Sequence, residues 1–375
     1  MHAVTEPMPV PFLDLTAQYK QLEGEWLAAI RETGSRGSFV LGPHTQAFEK
    51  ECAEYVGVKH AIGVANGTDS LVLSLRALGI GPGDEVITTP FTFFASSESI
   101  DLVGATPVFA DILPDSFCID PANIWKKITS KTKAILPVHI FGHPSEMDEI
   151  VKLAQEHKLA VVEDCAQAFG ATSGGKVVGA IGATGSFSFY PTKVLGCYGD
   201  GGMVTTSSDA LNEHIRRLRN HGAVKPFVHA EIGMNSRLDE IQAALLRLKL
   251  RTIRNDIAGR QQVAAEYTRR LAGTAVKTPT LPKNGTHAFN LYTVRVPRRD
   301  AVRQALTEAQ IGTSQCYPQG LHLQDVYKRL GYKPGSLPVC EHATTETLSL
   351  PIYPGMPPEH IERVCTVLIS AARTA

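Results

Sequence analysis

The chain has 375 residues, of which 43% are hydrophobic and 20% are charged, a composition typical of a soluble globular protein that can bury a substantial core. Its 37 basic residues balance 37 acidic ones, and no run of about eighteen apolar residues predicts a membrane span. We therefore expect neither nucleic acid nor a membrane as a partner.

The first two hundred residues show strands alternating with helices. Leu22, Trp26 and Ile30 repeat at helical spacing, and residues 46–55 indicate a second helix, after a breaker-rich loop at 34–42. Seven β-prone runs follow, at residues 61–65, 85–89, 106–110, 134–139, 160–163, 186–189 and 203–206. The alternation predicts an α/β fold with a mainly parallel central sheet and helices on both faces.

The pattern changes after residue 208, where helical periodicity continues to about residue 271. Residues 278–285, which contain two prolines, indicate a connector. Beyond it, a β-prone stretch at 289–296 precedes a helical one at 299–309. We predict a large domain over residues 1–275 and a smaller C-terminal α+β domain over residues 276–375.

The seven cysteines form no C-x-x-C pair and lie mostly in apolar surroundings. This arrangement is typical of buried free thiols in a reducing compartment. The N-terminus shows no basic region leading into an apolar stretch. Together these observations predict a cytoplasmic protein.

The most informative stretch is S-F-S-F-Y-P-T-K-V-L-G-C-Y-G-D-G-G-M-V at residues 186–204, which places Lys193 between two β-prone runs. A lysine held between core strands is poorly hydrated, and desolvation disfavours its ammonium form, so its amine becomes a nucleophile toward an aldehyde. The glycines that follow let the backbone turn sharply or approach a planar ligand. An isolated lysine is more often an ordinary surface residue, so the prediction of a Schiff-base lysine depends on two further features.

The first feature is an acid at the end of a buried strand. Residues 158–164, K-L-A-V-V-E-D, form an apolar run that ends in two acids. Ligands bind at the carboxyl ends of parallel strands, and an acid there can pair with the pyridinium N–H of a pyridoxal cofactor. We predict Asp164 in this role, with Gln167 as a hydrogen-bond donor beside the ring.

The second feature is the turn A-N-G-T-D-S at residues 65–70, between a short strand and an amphipathic run. A strand, a small-residue turn and a helix start aim free backbone N–H groups at an anion, which predicts a phosphate cradle at Gly67 and Thr68. The same residues are equally typical of an ordinary helix cap.

Two histidines, His139 and His143 in H-I-F-G-H-P, are candidate metal ligands. No third ligand matches them in spacing, and a zinc site needs at least three protein ligands. We therefore predict structural histidines and no metal site.

Five motifs, in order, resemble those of the DegT/DnrJ/EryC1/StrS family: N-G-T, T-F-F-A-S, V-E-D-C-A-Q-A-F-G-A, S-F-S-F-Y-P-T-K with G-D-G-G, and G-M-N-S-R-L-D-E-I-Q-A-A. The resemblance extends from Phe12 to about Pro354, nearly the whole chain. It implies a pyridoxal-5'-phosphate-dependent nucleotide-sugar aminotransferase of the aspartate-aminotransferase-like fold type I. It also implies a homodimer whose active sites are completed across the interface.

The resemblance also implies roles for individual residues. Lys193 and Asp164 are the implied catalytic residues, Lys193 at the aldehyde carbon of the cofactor and Asp164 at its pyridine nitrogen. The implied cofactor contacts further include Gly67, Thr68 and Ser188 at the phosphate, Gln167 at the ring hydroxyl, Phe93 on the ring face, and Asn235 at the phosphate of the neighbouring subunit. Tyr317, His322 and Arg237 are implied substrate contacts.

The implied reaction moves an amino group from L-glutamate, which becomes 2-oxoglutarate, to a nucleotide-linked keto sugar. The lysine motif and the N-S-R motif are most similar to the 3-keto-sugar branch, so the expected acceptor is UDP-linked 3-keto-N-acetylglucosamine or its uronate. Lys225 is the one cation that follows His221 closely, which gives the uronate no strong support. The product would be an amino sugar for surface polysaccharide, lipopolysaccharide or a related glycoconjugate.

Other functions stay open from the sequence. Many relatives that act at C3 have histidine before Tyr-Pro, whereas this chain has Cys316, and this departure weakens the assignment of the substrate. The alternatives are a 4-keto sugar, a keto-cyclitol or antibiotic precursor, and a cofactor-binding sensor that does not transaminate. A sugar 3-dehydratase of the same family typically has histidine at the position of Lys193, so the lysine argues against that activity.

Overall fold

The computed structural model describes residues 8–374, with only the backbone at Thr374. The helices are α1 Thr16–Arg36, α2 Pro43–Val56, α3 Gly67–Ala77, α4 Ala95–Leu102, α5 Pro121–Trp125, α6 Met147–His157, α7 Asp209–Leu218, α8 Glu240–Leu250, α9 Ile253–Leu271, α10 Arg299–Glu308, α11 Pro338–Glu346 and α12 Pro358–Thr374. Short 3-10 helices lie at Ile140–Gly142, Leu321–Leu323 and Asp325–Leu330.

The strands are β1 His60–Val64, β2 Glu85–Thr88, β3 Thr106–Phe109, β4 Thr132–Leu136, β5 Ala160–Asp164, β6 Thr172–Ser173, β7 Lys176–Val177, β8 Thr184–Ser188, β9 Gly202–Thr206, β10 Ala223–Lys225, β11 Val228–His229, β12 Gly285–Thr286, β13 Tyr292–Arg295 and β14 Thr347–Leu350. Seven of them form one sheet in the order β1-β9-β8-β5-β4-β2-β3. In this sheet β9 is antiparallel to both of its neighbours, and the other pairs are parallel. The predicted α/β fold with a mainly parallel sheet is confirmed.

Two predicted elements differ from the structure. The continuous helical pattern around residues 237–255 is divided, because α8 ends at Leu250 and α9 begins at Ile253. The predicted strand at 134–139 is β4, which ends at Leu136, and an isolated bridge from Val138 to Asp164 continues the pairing.

Side chains of β5 alternate between the two faces of the sheet. Val161 packs in the cluster that includes α6, whereas Val162 packs in the cluster that includes α3. Because the strand period is two residues, Asp164 shares the face of Val162 and Glu163 shares the face of Val161. The alternation therefore directs one of the two acids at the end of β5 toward α3 and the other away from it.

The C-terminal part of the chain has a core of its own around the antiparallel pair β13–β14. Residues of α10 and α12 contribute to this core, and so do Tyr267 of α9 and Val10 near the N-terminus. The division into domains at residues 1–275 and 276–375 stays a prediction, and residues of α9 before that boundary also belong to the second core.

Two further observations concern the whole chain. All seven cysteines are free, and six of them are buried, with Cys316 half-buried. Across the described range, no helix combines the length and the apolar character needed to cross a membrane.

Candidate active site

A cavity of about 780 Å³ lies at the carboxyl ends of the parallel strands. Its wall includes residues that follow β1, β2, β4, β5 and β8, and a second part that comes from the C-terminal region. Open α/β sheets bind ligands at this edge. Most predicted site residues line this cavity: Gly67, Thr68, Phe93, Asp164, Gln167, Ser188, Lys193 and Tyr317.

Lys193 lies in the irregular segment between β8 and β9, where its backbone N–H donates to Tyr190 O at 2.9 Å. Its side chain lines the cavity. Burial lowers the pKa of Lys193 below its ordinary value of 10.5, and the charge of Asp164 opposes this effect. Burial therefore shifts the amine toward its neutral, nucleophilic form.

Asp164 is buried at the end of β5, and both of its carboxylate oxygens accept hydrogen bonds. Ser96 Oγ donates to Oδ2 at 2.8 Å, and Ala166 N–H donates to Oδ1 at 3.1 Å. Thr92 Oγ1 lies 3.0 Å from Ser96 Oγ. Burial raises the pKa of Asp164, and the hydrogen bond from Ser96 is the largest of the effects that lower it. The Lys193 charge lowers it further.

The N-terminus of α3 forms the anion-binding part of the cavity. Asn66 caps this helix by accepting from Asp69 N–H at 2.8 Å, whereas the N–H groups of Gly67 and Thr68 have no partner within residues 8–374. A Cβ at Gly67 would lie 2.7 Å from Ser188 Cβ, so only glycine allows β8 and α3 to approach this closely. The cap and the predicted phosphate cradle are thus the same structure, because the asparagine leaves the first two N–H groups free.

Gln167 and Tyr317 form a polar pair in the wall. Gln167 Nε2 donates to Tyr317 Oη at 2.9 Å, and Gln167 Oε1 accepts from Phe141 N–H at 2.7 Å. These bonds fix the amide and leave the tyrosine hydroxyl proton free to point at a ligand. Phe93, 61% exposed, presents its ring at the cavity.

His322 does not line the cavity, and its role as a substrate contact stays a prediction. His322 is buried away from the cavity, where its Nε2 lies 3.1 Å from Glu341 Oε1 and its ring packs near Phe109 and Tyr332. The short 3-10 helix that begins at Leu321 turns the side chain into the core, which the apparent loop sequence does not indicate.

Two further predicted residues lie outside the cavity of the single chain. Asn235 is exposed and forms a backbone bridge with Asn220. Arg237 is half-buried, and its Nη1 donates to Asn220 Oδ1 at 3.1 Å. Their roles at the cofactor phosphate of a neighbouring subunit and at the substrate stay predictions.

His139 lies in a buried cluster with Glu163 and Cys165 whose potential ligand atoms are within 4.8 Å of one another. The polar atoms of His139 and Glu163 already have partners. His139 Nε2 lies 3.1 Å from Glu163 Oε2, and His139 Nδ1 accepts a hydrogen bond from Ser145 N–H. Glu163 also accepts three backbone N–H groups between residues 179 and 182. This geometry is that of a structural pair which supports the sheet below the cavity.

The residues of the cavity fit pyridoxal phosphate in their chemistry. A primary amine and a buried carboxylate face one space, which suits an aldehyde carbon and a pyridine nitrogen. Free N–H groups at the start of α3 suit the phosphate, and the absence of a side chain at Gly67 lets Ser188 lie close beside them.

Some residues of the site were not singled out in the sequence. Ser96 belongs to the T-F-F-A-S motif, but nothing local shows that it reaches an acid 68 positions away. Asn290 and Ser314 also line the cavity, and they follow no strand of the main sheet. The one available signal for Ser96 was its place in a family motif.

The fold and the cavity together define an aminotransferase of the pyridoxal-phosphate type. The model of the DegT/DnrJ/EryC1/StrS aminotransferase family matches residues 20–369. The chain belongs to this family, whose members depend on pyridoxal phosphate, as its motifs indicated.

Curated relatives match over almost their whole length. A pleiotropic regulatory protein of Geobacillus stearothermophilus is 46% identical over 95% of this chain and 97% of the relative. A dTDP-3-amino-3,4,6-trideoxy-alpha-D-glucose transaminase of Streptomyces venezuelae is 44% identical over 97% of this chain and 95% of the relative. A UDP-N-acetyl-3-dehydro-alpha-D-glucosamine 3-aminotransferase of Acidithiobacillus ferrooxidans is 42% identical over 97% of this chain and 98% of the relative.

Solved structures agree with the fold. The crystal structure of S. venezuelae DesV, in complex with a ketimine intermediate, superposes with a TM-score of 0.95 at 43% identity. The match covers 98% of this chain and 99% of DesV.

Proposed function

We propose that this aminotransferase moves an amino group from L-glutamate to C3 of a nucleotide-linked keto sugar, with UDP-linked 3-keto-N-acetylglucosamine as its acceptor. The observation that carries the proposal is the joint placement of Lys193 and Asp164 in one cavity of about 780 Å³. A sensor that does not transaminate would need neither a lysine whose pKa is lowered by burial nor a buried carboxylate that accepts a hydrogen bond from Ser96.

The names of two relatives support an acceptor that is aminated at C3, because both place the nitrogen at that carbon. These relatives differ in the nucleotide, which is UDP in one and dTDP in the other. We choose UDP because the lysine and N-S-R motifs are most similar to the 3-keto-sugar branch, for which UDP-linked 3-keto-N-acetylglucosamine is the expected acceptor. The dTDP-linked sugar is a second acceptor in the test.

In the proposed binding mode, some of the residues that line the cavity bind the cofactor and others bind the substrate. The N–H groups of Gly67 and Thr68, with the Ser188 hydroxyl, hold the phosphate of the cofactor, and Phe93 covers one face of its ring. Gln167 lies at the ring hydroxyl, and Tyr317 is a polar contact for the substrate.

When bound, pyridoxal phosphate supplies an aldehyde carbon and a ring that accepts electrons from the carbon beside the amino group. Lys193 would hold the cofactor at this aldehyde carbon until the amine of L-glutamate replaces it. Its free amine would then be the base that takes the proton from the α-carbon of the donor and the acid that returns it in the reverse half-reaction. The carboxylate of Asp164 would accept a hydrogen bond from the ring nitrogen and hold its proton there, which would maintain the electron demand of the ring.

We further propose a cytoplasmic homodimer with shared active sites. In this arrangement the exposed Asn235 reaches the cofactor phosphate of the neighbouring subunit, and Arg237 contacts substrate there. The position of both residues outside the cavity of their own chain is compatible with this role.

The test follows the visible absorption of the purified, cofactor-loaded protein before and after L-glutamate is added. We expect the yellow band to convert in the wild type, and not in Lys193→Ala, which lacks both the attachment amine and the base. A wild-type band that ignores L-glutamate would contradict the proposed donor.

The amine-charged wild type is then mixed with candidate acceptors: the UDP-linked and dTDP-linked 3-keto sugars, a 4-keto sugar and a keto-cyclitol. Recovery of the original band with the UDP-linked 3-keto sugar supports the proposal. Turnover of the 4-keto sugar or the keto-cyclitol without turnover of any 3-keto sugar would contradict it.

A further inference from the structure

The second part of the cavity wall contains an amide whose polar atoms lack partners. Asn290 lies two residues before β13, lines the cavity and is only 7% exposed. Its Oδ1 is shut off from solvent without a hydrogen-bond partner. Within the described range its Nδ2 also makes no hydrogen bond. Because Nδ2 is not among the atoms shut off from solvent, it is the amide atom that a ligand in the cavity can reach. An unpaired donor in the wall of a cavity points to a ligand that carries an acceptor.

The neighbouring polar side chains in this wall are paired, which sets Asn290 apart. Tyr317 accepts a hydrogen bond from Gln167, and Gln167 is also bonded to Phe141. The hydroxyl of Ser314 lies 3.3 Å from Cys316 Sγ.

The backbone around Asn290 is rigidly held. The next residue, Leu291, donates its N–H to Phe141 O at 3.2 Å. The carbonyl of the preceding Phe289 accepts from buried Arg260 Nη1, also at 3.2 Å. Gly142 packs so closely that a Cβ there would lie 3.0 Å from Asn290 N. The amide is therefore presented to the cavity from a fixed base and not from a mobile loop.

The position of Asn290 in the wall indicates which ligand it meets. The proposed cofactor contacts that line the cavity all belong to the chain up to Lys193. Asn290, Ser314, Cys316 and Tyr317 line the same cavity from the C-terminal region, and we assign this part of the lining to the substrate.

We propose that Asn290 is a substrate-binding residue that sets specificity, its carboxamide hydrogen-bonding an oxygen substituent on the carbon next to the reacting carbon. In the keto sugar this oxygen is a hydroxyl or ring substituent beside C3, and in the amino donor it is an α-carboxylate oxygen. A neutral amide is suited to the sugar, because Asp69, Asp164 and Asp200 also line the cavity and Lys193 is the one cation among its lining residues. The assignment to the sugar rests on the proposed function.

The test compares wild type, Asn290→Ala and Asn290→Asp, with Asn255→Ala as a control at an exposed asparagine of α9. Each protein is loaded with cofactor, and the L-glutamate and keto-sugar half-reactions are measured separately by stopped-flow absorption. Calorimetric binding of UDP-N-acetylglucosamine, which cannot react, gives a readout independent of catalysis.

We expect Asn290→Ala to weaken apparent substrate affinity by about 3- to 10-fold, the equivalent of one neutral hydrogen bond, with Asn255→Ala unchanged. Asn290→Asp should lower the substrate affinity further if the substrate oxygen accepts the hydrogen bond, because a carboxylate cannot donate one. A change confined to the sugar arm identifies the sugar oxygen, a change confined to the glutamate arm identifies the carboxylate, and a change in both identifies a shared position.

Wild-type affinity of Asn290→Ala and Asn290→Asp in every arm overturns the proposal. A loss of cofactor affinity with unchanged half-reactions also overturns it, because Asn290 would then be a cofactor contact. If the wild type itself fails to aminate any keto sugar, the proposed function fails, whereas the glutamate arm still decides the role of Asn290. Unchanged far-ultraviolet circular dichroism and cofactor content show that each variant is folded.

Discussion

Asp164 has to stay charged although it is almost fully buried. Burial raises its pKa, and the hydrogen bond from Ser96 is the largest opposing effect. Thr92 lies within hydrogen-bonding distance of the same hydroxyl, so a short chain of hydroxyls ends on the carboxylate. The proposed pairing of Asp164 with the pyridine nitrogen therefore depends on the hydroxyl of Ser96.

We predict that Ser96→Ala weakens pyridoxal phosphate binding by about 10-fold or more, since a hydrogen bond to a charged group contributes about 1.5–3 kcal/mol. Loss of the hydroxyl raises the pKa of Asp164 further, so the carboxylate is protonated at a higher pH as the pH falls. The defect should thus be larger at pH 6 than at pH 8. Fluorescence titration of the cofactor at both pH values measures it.

Ser97→Ala is the matched control, because Ser97 is also buried in α4 but donates to Phe94 O. Equal losses in Ser96→Ala and Ser97→Ala, or a defect that does not vary with pH, would contradict an electrostatic role for Ser96.

At the scale of elements, α8 holds the segment that follows Lys193. The Gln242 side chain makes two hydrogen bonds to the backbone of Tyr198, accepting from its N–H and donating to its carbonyl oxygen, each at 2.9 Å. Lys249 Nζ donates to Gly196 O at 2.6 Å and lies 4.4 Å from the centre of the Tyr198 ring. A helix far along the chain therefore fixes the return from Lys193 to β9.

Lys249 also predicts a pH dependence of stability. Burial lowers the pKa of Lys249 from 10.5 to about 8. Below pH 8 the residue is charged in both the folded and the unfolded state, and the folded state bears the full desolvation penalty. Between about pH 8 and 10.5 the unfolded state binds more protons, so this penalty is relieved as the pH rises.

We predict that the free energy of unfolding of the wild type, relative to Lys249→Met, rises by up to about 3 kcal/mol between pH 8 and 10.5. Chemical denaturation of both proteins across this range measures the difference, in which titrations common to both cancel. Parallel pH profiles would show that Lys249 has no lowered pKa in the folded protein.

At the scale of the whole molecule, the hairpin β10–β11 and the residues that lead from it to Asn235 carry exposed apolar side chains. Phe227 is 97% exposed, and Ile232 and Val224 are 83% and 56% exposed. Exposed apolar side chains grouped in this way are typical of an interaction surface. They are compatible with the proposed homodimer, in which this part of the chain meets the neighbouring subunit.

We predict that Phe227→Ser weakens self-association by about 10- to 100-fold, the equivalent of about 1.5–3 kcal/mol for one buried phenylalanine. Sedimentation velocity over a range of concentrations measures the dissociation constant. Cofactor affinity should fall with it if Asn235 serves the neighbouring site. Leu281→Ser, at another exposed apolar residue, is the control, and an unchanged dimer in Phe227→Ser would place the interface elsewhere.

The sequence alone determined the fold class, the family and the main part of the candidate site. Strand periodicity, glycine turns and helix starts are local signals, and in a parallel sheet the carboxyl ends of the strands meet at one edge. Asp164, Gly67 and Lys193 could therefore be brought together from patterns only a few residues long.

The tertiary structure alone decided which residues complete the site. The contact from Ser96 to Asp164 and the placement of Asn290 beside Phe141 join segments far apart in the chain, and no periodicity records such contacts. The burial of His322 could not be predicted for the same reason, since packing against Glu341 and the aromatic residues around it turns its side chain inward. Short-range patterns determine where a strand or helix ends, whereas the partners of a buried polar group depend on how the elements pack.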